Sequence, residues 1–264
     1  MARHMRRYRR HSINSLPSHR TVKIFADKAD LVREAADLIA TLAVEAVKDR
    51  GRFTVALSGG STPLALFKLL AAPPFRSQLP WQKMHFFWGD ERLVPAHDRG
   101  SNYYHAADLL LNQVPVPAEN IHRVKGEWAA ADAVTNYANQ LQEAAQEQRP
   151  WPIFDLIMLG LGSDGHTASL FPDSPVSDDP ETAVKGVTAD YEDRPSQRLT
   201  LTPAVFNDAR HVLFLVTGAN KAEAVAAVLE GPPDLEQWPA QRIQPTDGVV
   251  NWFIDEQAAA RLNR

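Results

Sequence analysis

The chain has 264 residues, with 28 Lys plus Arg against 32 Asp plus Glu and no cysteine. That length supports one large domain or two small ones with a sizeable core, and 44% hydrophobic with 23% charged residues excludes a largely disordered or collagen-like chain. Without cysteine there is no disulfide framework, thiolate nucleophile or Cys-ligated metal, and no apolar run approaches the roughly 20 residues that cross a bilayer.

The charge is uneven. Residues 1–20 hold six arginines and no acid, while the rest of the chain holds 22 basic and 32 acidic groups. An acidic body argues against duplex nucleic acid as a partner, because phosphate neutralisation needs a basic face. The arginine-rich head lacks the apolar core of a secretory signal and any apolar periodicity, so residues 1–20 are expected to be a disordered extension, with Met5 an alternative start. Residues 21–264 are then one domain. A reducing, cytoplasmic setting fits the missing cysteines.

In chain order, Thr21–Ala26 predicts a strand and Ala29–Lys48 a helix with Leu31, Ala35, Leu38, Ile39, Leu42 and Val47 on one stripe. Phe53–Leu57 is a continuous apolar run, suited to a strand buried on both faces. A glycine turn and a helix starting near Pro63 follow, then a strand at Met84–Trp88 and helices at Asn102–Leu111 and Ala130–Gln146. Further strands are expected at Phe154–Leu159, Arg198–Leu201, His211–Val216 and Val249–Ile254, and helices at Asn220–Leu229 and Asp255–Leu262. Pro172–Glu181 and Gly231–Pro245 are loops. Strand–helix alternation of this kind predicts an α/β domain on a largely parallel sheet flanked by helices, a modified Rossmann-like arrangement.

Glycine is scarce, 13 against 19 prolines, and five of the thirteen fall in two loops that follow the most apolar strands. In open α/β sheets ligands bind beyond the carboxyl ends of strands, so both loops should face one crevice. The first, Ser58-Gly59-Gly60-Ser61-Thr62-Pro63, offers the amides and hydroxyls of Gly60, Ser61 and Thr62 as a phosphate cradle. It is neither a Walker A loop nor a Gly-x-Ser-x-Gly elbow, which speaks against a nucleoside triphosphate and against a serine nucleophile. The bland alternative is a tight turn with Thr62 capping the helix.

The second loop, Gly160-Leu161-Gly162-Ser163-Asp164-Gly165-His166-Thr167, formally matches Gly-x-Gly-x-x-Gly, but the acidic residue expected roughly 20 positions on falls in the Pro/Asp loop, so a dinucleotide site is a weak reading. His166 with Asp164 two residues away suits general-base work; the alternative is a surface histidine at a helix start. Asp90, Glu91 and Arg92 follow the aromatic strand, and Arg198 and Lys221 sit at the start or end of later strands. No His-x-x-x-His pair encloses a carboxylate, and no metal is expected.

Five blocks together resemble the signature segments of the 6-phosphogluconolactonase family: Ser-Gly-Gly-Ser-Thr-Pro (58–63), Trp-Gly-Asp-Glu-Arg (88–92) with Ser101-Asn102-Tyr103, Gly-Leu-Gly-Ser-Asp-Gly-His-Thr-Ala-Ser-Leu-Phe-Pro (160–172), Arg-Leu-Thr-Leu-Thr (198–202), and Gly-x-x-Lys (218–221). The resemblance runs from about Thr21 to the C-terminus. It implies the fold group shared with glucosamine-6-phosphate deaminase and ribose-5-phosphate isomerase. It further implies a cytosolic, metal-free carboxylic ester hydrolase without cofactor, acting on a small molecule in the second step of the oxidative pentose phosphate pathway. By that likeness the loop from Gly59 through Gly60, Ser61 and Thr62, with Arg198 and Lys221, holds the 6-phosphate; His166 is the base, tuned by Asp164; Arg92 lies near the lactone carbonyl, and Asp90 positions Arg92 or the sugar. A monomer or weak homo-oligomer is expected. Two other readings stay open: an isomerase or deaminase of the same fold, and a sugar-phosphate-binding regulatory domain without turnover. In the deaminase the His loop continues into Asn-Glu-Pro; here it is Leu170-Phe171-Pro172, with Phe171 in place of the glutamate.

Overall fold

The apolar runs become strands of one sheet with both faces covered. The computed structural model describes residues 20–146, 148–173, 180–190 and 195–263. The first half contains β1 (Arg20–Phe25), α1 (Lys28–Arg50), β2 (Phe53–Leu57), α2 (Ser61–Leu70), α3 (Phe75–Gln78), β3 (Met84–Trp88), β4 (Asp90–Arg92), α4 (Asn102–Leu109) and α5 (Ala130–Ala144). The second contains β5 (Leu156–Leu159), β6 (Val184–Thr188), β7 (Gln197–Leu201), α6 (Pro203–Asn207), β8 (His211–Val216), α7 (Ala222–Glu230) and β9 (Val249–Asp255).

Six strands form a wholly parallel sheet in the order β1-β9-β8-β5-β2-β3. The chain steps from β2 outward to β3, then returns to the other side of β2 to enter β5. That reversal between β2 and β5 is the switch point beyond which α/β sheets bind ligands. Alternation along each strand divides two cores. Val55, Leu57, Met158, Leu213 and Leu215 pack under α1, α2 and α4, whereas Ala56, Ile157, Leu159, Val212 and Phe214 pack against α5 and α7.

A second sheet, β4-β7-β6, is antiparallel and lies on the α5 side, where Leu199, Leu201 and Val184 join the core. Gly89 joins the two sheets: its N–H donates to Leu57 O (2.9 Å) and its carbonyl accepts from Leu201 N–H (2.8 Å). Tyr137 of α5 secures the adjoining end of β3, its buried hydroxyl accepting from Trp88 N–H (2.7 Å) and donating to Trp88 O (2.8 Å).

The architecture matches the expected α/β class, with differences at particular elements. Asp255–Leu262 was expected to be helical and is a run of turns instead. Asp255 ends β9, and its carboxylate accepts both Gly218 N–H and Ala258 N–H; one four-residue bond, Ala259 N–H to Asp255 O, is followed by three-residue turns such as Leu262 N–H to Ala259 O. The helix expected near Pro63 begins two residues earlier, and β1 begins at Arg20. No helix follows β5 directly; Gly160–Thr167 folds into turns closed by Gly162 N–H to His166 O (2.7 Å). β4 and β6 were not anticipated. The expected extension at residues 1–19 and most of the Pro172–Glu181 loop lie outside the described residues. Among the described residues no helix is long and apolar enough to cross a membrane.

Candidate active site

Both glycine loops do open into one cleft, of about 280 Å³, at the carboxyl edge of the parallel sheet between β2 and β5. After β2 the chain turns at Gly60, whose φ of 100° is readily reached only without a side chain. Gly60 is the N-cap of α2 and makes no side-chain capping bond; Thr62 Oγ1 instead meets Thr217 Oγ1 at 2.9 Å, so the capping alternative does not hold. Ser61 and Thr62 therefore occupy the first turn, where N–H groups lack intrahelical acceptors, and Pro63 next to them has none to satisfy. This is a helix terminus suited to an anion.

The small sheet supplies two of the cations. Arg92 on β4 is the direct antiparallel partner of Arg198 on β7, so both side chains leave the same face, and both line the cleft. Like charges placed opposite each other are unfavourable unless an anion lies between them. Arg198 is only 2% exposed, with its guanidinium 5.1 Å over the Phe171 ring. Arg92 donates through Nη1 to Gly100 O at 2.7 Å, and its buried Nε has no acceptor among the described residues. Lys221 enters from the short 3₁₀ turn after β8.

His166 also lines the cleft. Its Nδ1 lies 2.6 Å from Asp164 Oδ1, and its ring packs 4.6 Å from that of Phe171. A side chain at Gly162 would overlap both His166 Nδ1 and Asp164 Oδ1, so the glycine is what lets the pair fold back over the turn. Burial by itself would raise the Asp164 carboxyl, but the hydrogen bond and charge of His166 outweigh it and hold the carboxyl below its ordinary range.

A family model described as glucosamine-6-phosphate isomerases/6-phosphogluconolactonase matches residues 26–252. The chain belongs to this family. It is 41% identical over 245 residues to the 6-phosphogluconolactonase of Synechocystis sp., covering 91% of this chain and 98% of the relative. To that of Haemophilus influenzae it is 39% identical over 208 residues, covering 79% and 86%. The solved 6-phosphogluconolactonase of Trypanosoma brucei superposes with a TM-score of 0.83 at 28% identity, covering 92% of this chain and 98% of that one. A monomeric glucosamine-6-phosphate deaminase shares the fold, with a TM-score of 0.77 at 20% identity over 91% and 99% of the two chains.

In this member of the glucosamine-6-phosphate isomerase/6-phosphogluconolactonase family, Gly59, Gly60, Ser61, Thr62, Asp90, Arg92, His166, Arg198 and Lys221 all line the cleft, and Asp164 stands behind His166. One expectation divides. Asp90 does not hold Arg92, which is tied to Gly100; its Oδ2 instead accepts from Ser169 Oγ at 2.8 Å. The strand period explains the layout: Asp90 and Arg92 face the cleft, while Glu91 points the other way, into the start of α4. There it accepts from the N–H groups of Arg92 (2.8 Å), Asn102 and Tyr103 (2.7 Å each). Burial still pushes the Glu91 carboxyl up to about 7, against the pull of those donors. Glu91, Asn102 and Thr217 were given no role by sequence reasoning, although Glu91 and Asn102 stand inside the family-like segments at 88–92 and 101–103 and Asn102 follows a serine N-cap. Among the described residues no three His, Asp or Glu side chains gather closely enough to hold a metal ion.

Proposed function

We propose that this chain hydrolyses 6-phosphoglucono-1,5-lactone to 6-phosphogluconate in the cytoplasm, without metal, cofactor or covalent intermediate. The carrying observation is the 2.6 Å His166–Asp164 contact in a cleft that is also lined by the Gly60–Thr62 turn, Arg92, Arg198 and Lys221. With Asp164 ionised, Nδ1 of His166 carries the proton and donates to it, which leaves Nε2 as the basic atom. Nε2 takes a proton from water as its oxygen attacks the C1 carbonyl, then returns that proton to the ring oxygen as the C1–O bond breaks. The first-turn amides after Gly59, with Arg198 and Lys221, hold the phosphate dianion and so fix the distance of C1 from His166. Arg92 and the amides of the Gly160–Gly162 turn are the donors available to the tetrahedral oxyanion, and Asp90 positions the sugar. The Phe171 ring against His166 offers no second carboxylate for shuttling a proton between C1 and C2, which weighs against the isomerase and deaminase reading.

The test is the initial rate of 6-phosphogluconolactone hydrolysis with purified protein, against a no-enzyme control at the same pH. Acceleration proportional to protein concentration is expected; a rate equal to the control would overturn the reading and favour a binding domain without turnover.

A further inference from the structure

We propose that Asn102 is a specificity-determining residue of this cleft, with its Oδ1 accepting a hydrogen bond from a ring hydroxyl of the phosphorylated sugar lactone; this rests on the hydrolytic reading above. The cleft is rich in donors, from the Gly60–Thr62 amides to Arg92, Arg198 and Lys221, whereas a sugar ring also presents hydroxyl protons that need acceptors. Asp90 spends Oδ2 on Ser169. Asn102 lines the same space, only 4% exposed, in the first turn of α4.

Its amide is oriented by its surroundings. Nδ2 donates to Asp90 O at 2.9 Å, so the other terminal atom, Oδ1, is the one that lies against Gly59. A Cβ at Gly59 would overlap Oδ1, so that glycine admits the amide to the cleft wall. Among the described residues no donor reaches Oδ1. An acceptor that lines the cleft and that no protein donor reaches is available to a ligand hydroxyl. Glu91 is the positioning residue behind it. Its buried carboxylate accepts Asn102 N–H and Tyr103 N–H at 2.7 Å, Arg92 N–H at 2.8 Å and Ser101 Oγ at 3.1 Å, which ties the start of α4 to β4. Backbone and amide of Asn102 are thus held by consecutive residues of one strand, Glu91 and Asp90.

The experiment compares kcat/KM for 6-phosphogluconolactone with that for its 2-deoxy, 3-deoxy and 4-deoxy analogues. Wild-type protein is expected to lose about three- to tenfold on one analogue through the missing hydrogen bond, and Asn102→Ala to level that difference while keeping the smaller losses on the other two. Asn102→Ser, which suits a helix start and does not reach the ligand, gives the same comparison if Asn102→Ala fails to fold. Equal wild-type rates on all four lactones, or full discrimination retained by the variant, would overturn the assignment. Failure of wild type to turn over the parent lactone would instead sink the hydrolytic reading. Glu91→Gln turns one oxygen into a donor facing an N–H, and it is expected to shrink discrimination at the same hydroxyl; unchanged discrimination removes Glu91 from the positioning role.

Discussion

The two sheets contribute different chemistry to one cleft. The parallel sheet aligns all its carboxyl ends, so β2, β5 and β8 deliver the Gly60 turn, the Gly160–Thr167 turn and Lys221 to the same edge. The antiparallel sheet contributes strands rather than turns. Its pairing register sets Arg92 beside Arg198 and aims Asp90 into the cleft, with all three anchored in a rigid ladder. Parallel strands thus provide a place, through backbone amides at turns, and the antiparallel ladder provides cations at fixed spacing. Gly89, bonded to β2 through its N–H and to β7 through its carbonyl, keeps the two in register.

That division can be broken from the largest effect down. His166→Ala, on the parallel-sheet side, is expected to lower kcat by about 10²–10⁴-fold while 6-phosphogluconate still binds in calorimetry; a variant with full turnover would mean the base lies elsewhere. Arg198→Ala from the small sheet and Lys221→Ala from the parallel one should each weaken binding of the phosphorylated product by about 1.5–3 kcal/mol, the size of a hydrogen bond to a charged group. Unchanged affinity in both would remove the phosphate from this end of the cleft. Tyr137→Phe strikes the joint between the sheets: it strips the partner from buried Trp88 N–H and should cost about 1–3 kcal/mol in urea unfolding, where no change would show that the bond contributes nothing.

The smallest effect is in pH dependence. Glu91, turned toward the start of α4, has its carboxyl raised to about 7 from an ordinary 4.5, with burial the leading cause and the nearby charge of Asp90 adding to it. Between those values the native protein holds a proton that the unfolded chain has released, so this group's contribution to stability falls as pH rises through that window and is level above it. Glu91→Gln cannot titrate there. The stability difference between wild type and Glu91→Gln, followed by chemical denaturation, should therefore decline from about pH 5 to 7; a flat difference would show that Glu91 stays ionised throughout.

Legibility in the sequence follows burial. β2, β3 and β8 were read with the bounds the structure gives, because strands buried on both faces leave largely apolar runs such as Phe53–Leu57 and Val212–Val216. β4 is three charged residues and β6 carries Lys185 and Gly186, so neither shows an apolar run; tertiary pairing with β7 makes them strands. Asp255–Leu262 carried a helical spacing of Ala258, Ala259 and Leu262, but its first residue was already committed to β9. In the site, local signals were enough for the Gly60 turn and the Asp164–His166 pair, whose members are two residues apart. Contacts between distant segments were not: nothing in the sequence sets Asn102 against Gly59, or turns Glu91 away from its neighbours Asp90 and Arg92 toward α4.

The central claim is that the turn amides, Arg198 of the small sheet and Lys221 after β8 jointly hold a phosphate so that His166 meets the lactone carbonyl. Its most direct test is the ratio of kcat/KM for 6-phosphogluconolactone to that for unphosphorylated glucono-1,5-lactone, measured in wild type and in Arg198→Ala. A ratio far above one that collapses in Arg198→Ala is the expected result, whereas a ratio near one in wild type, or one that Arg198→Ala leaves unchanged, would contradict it.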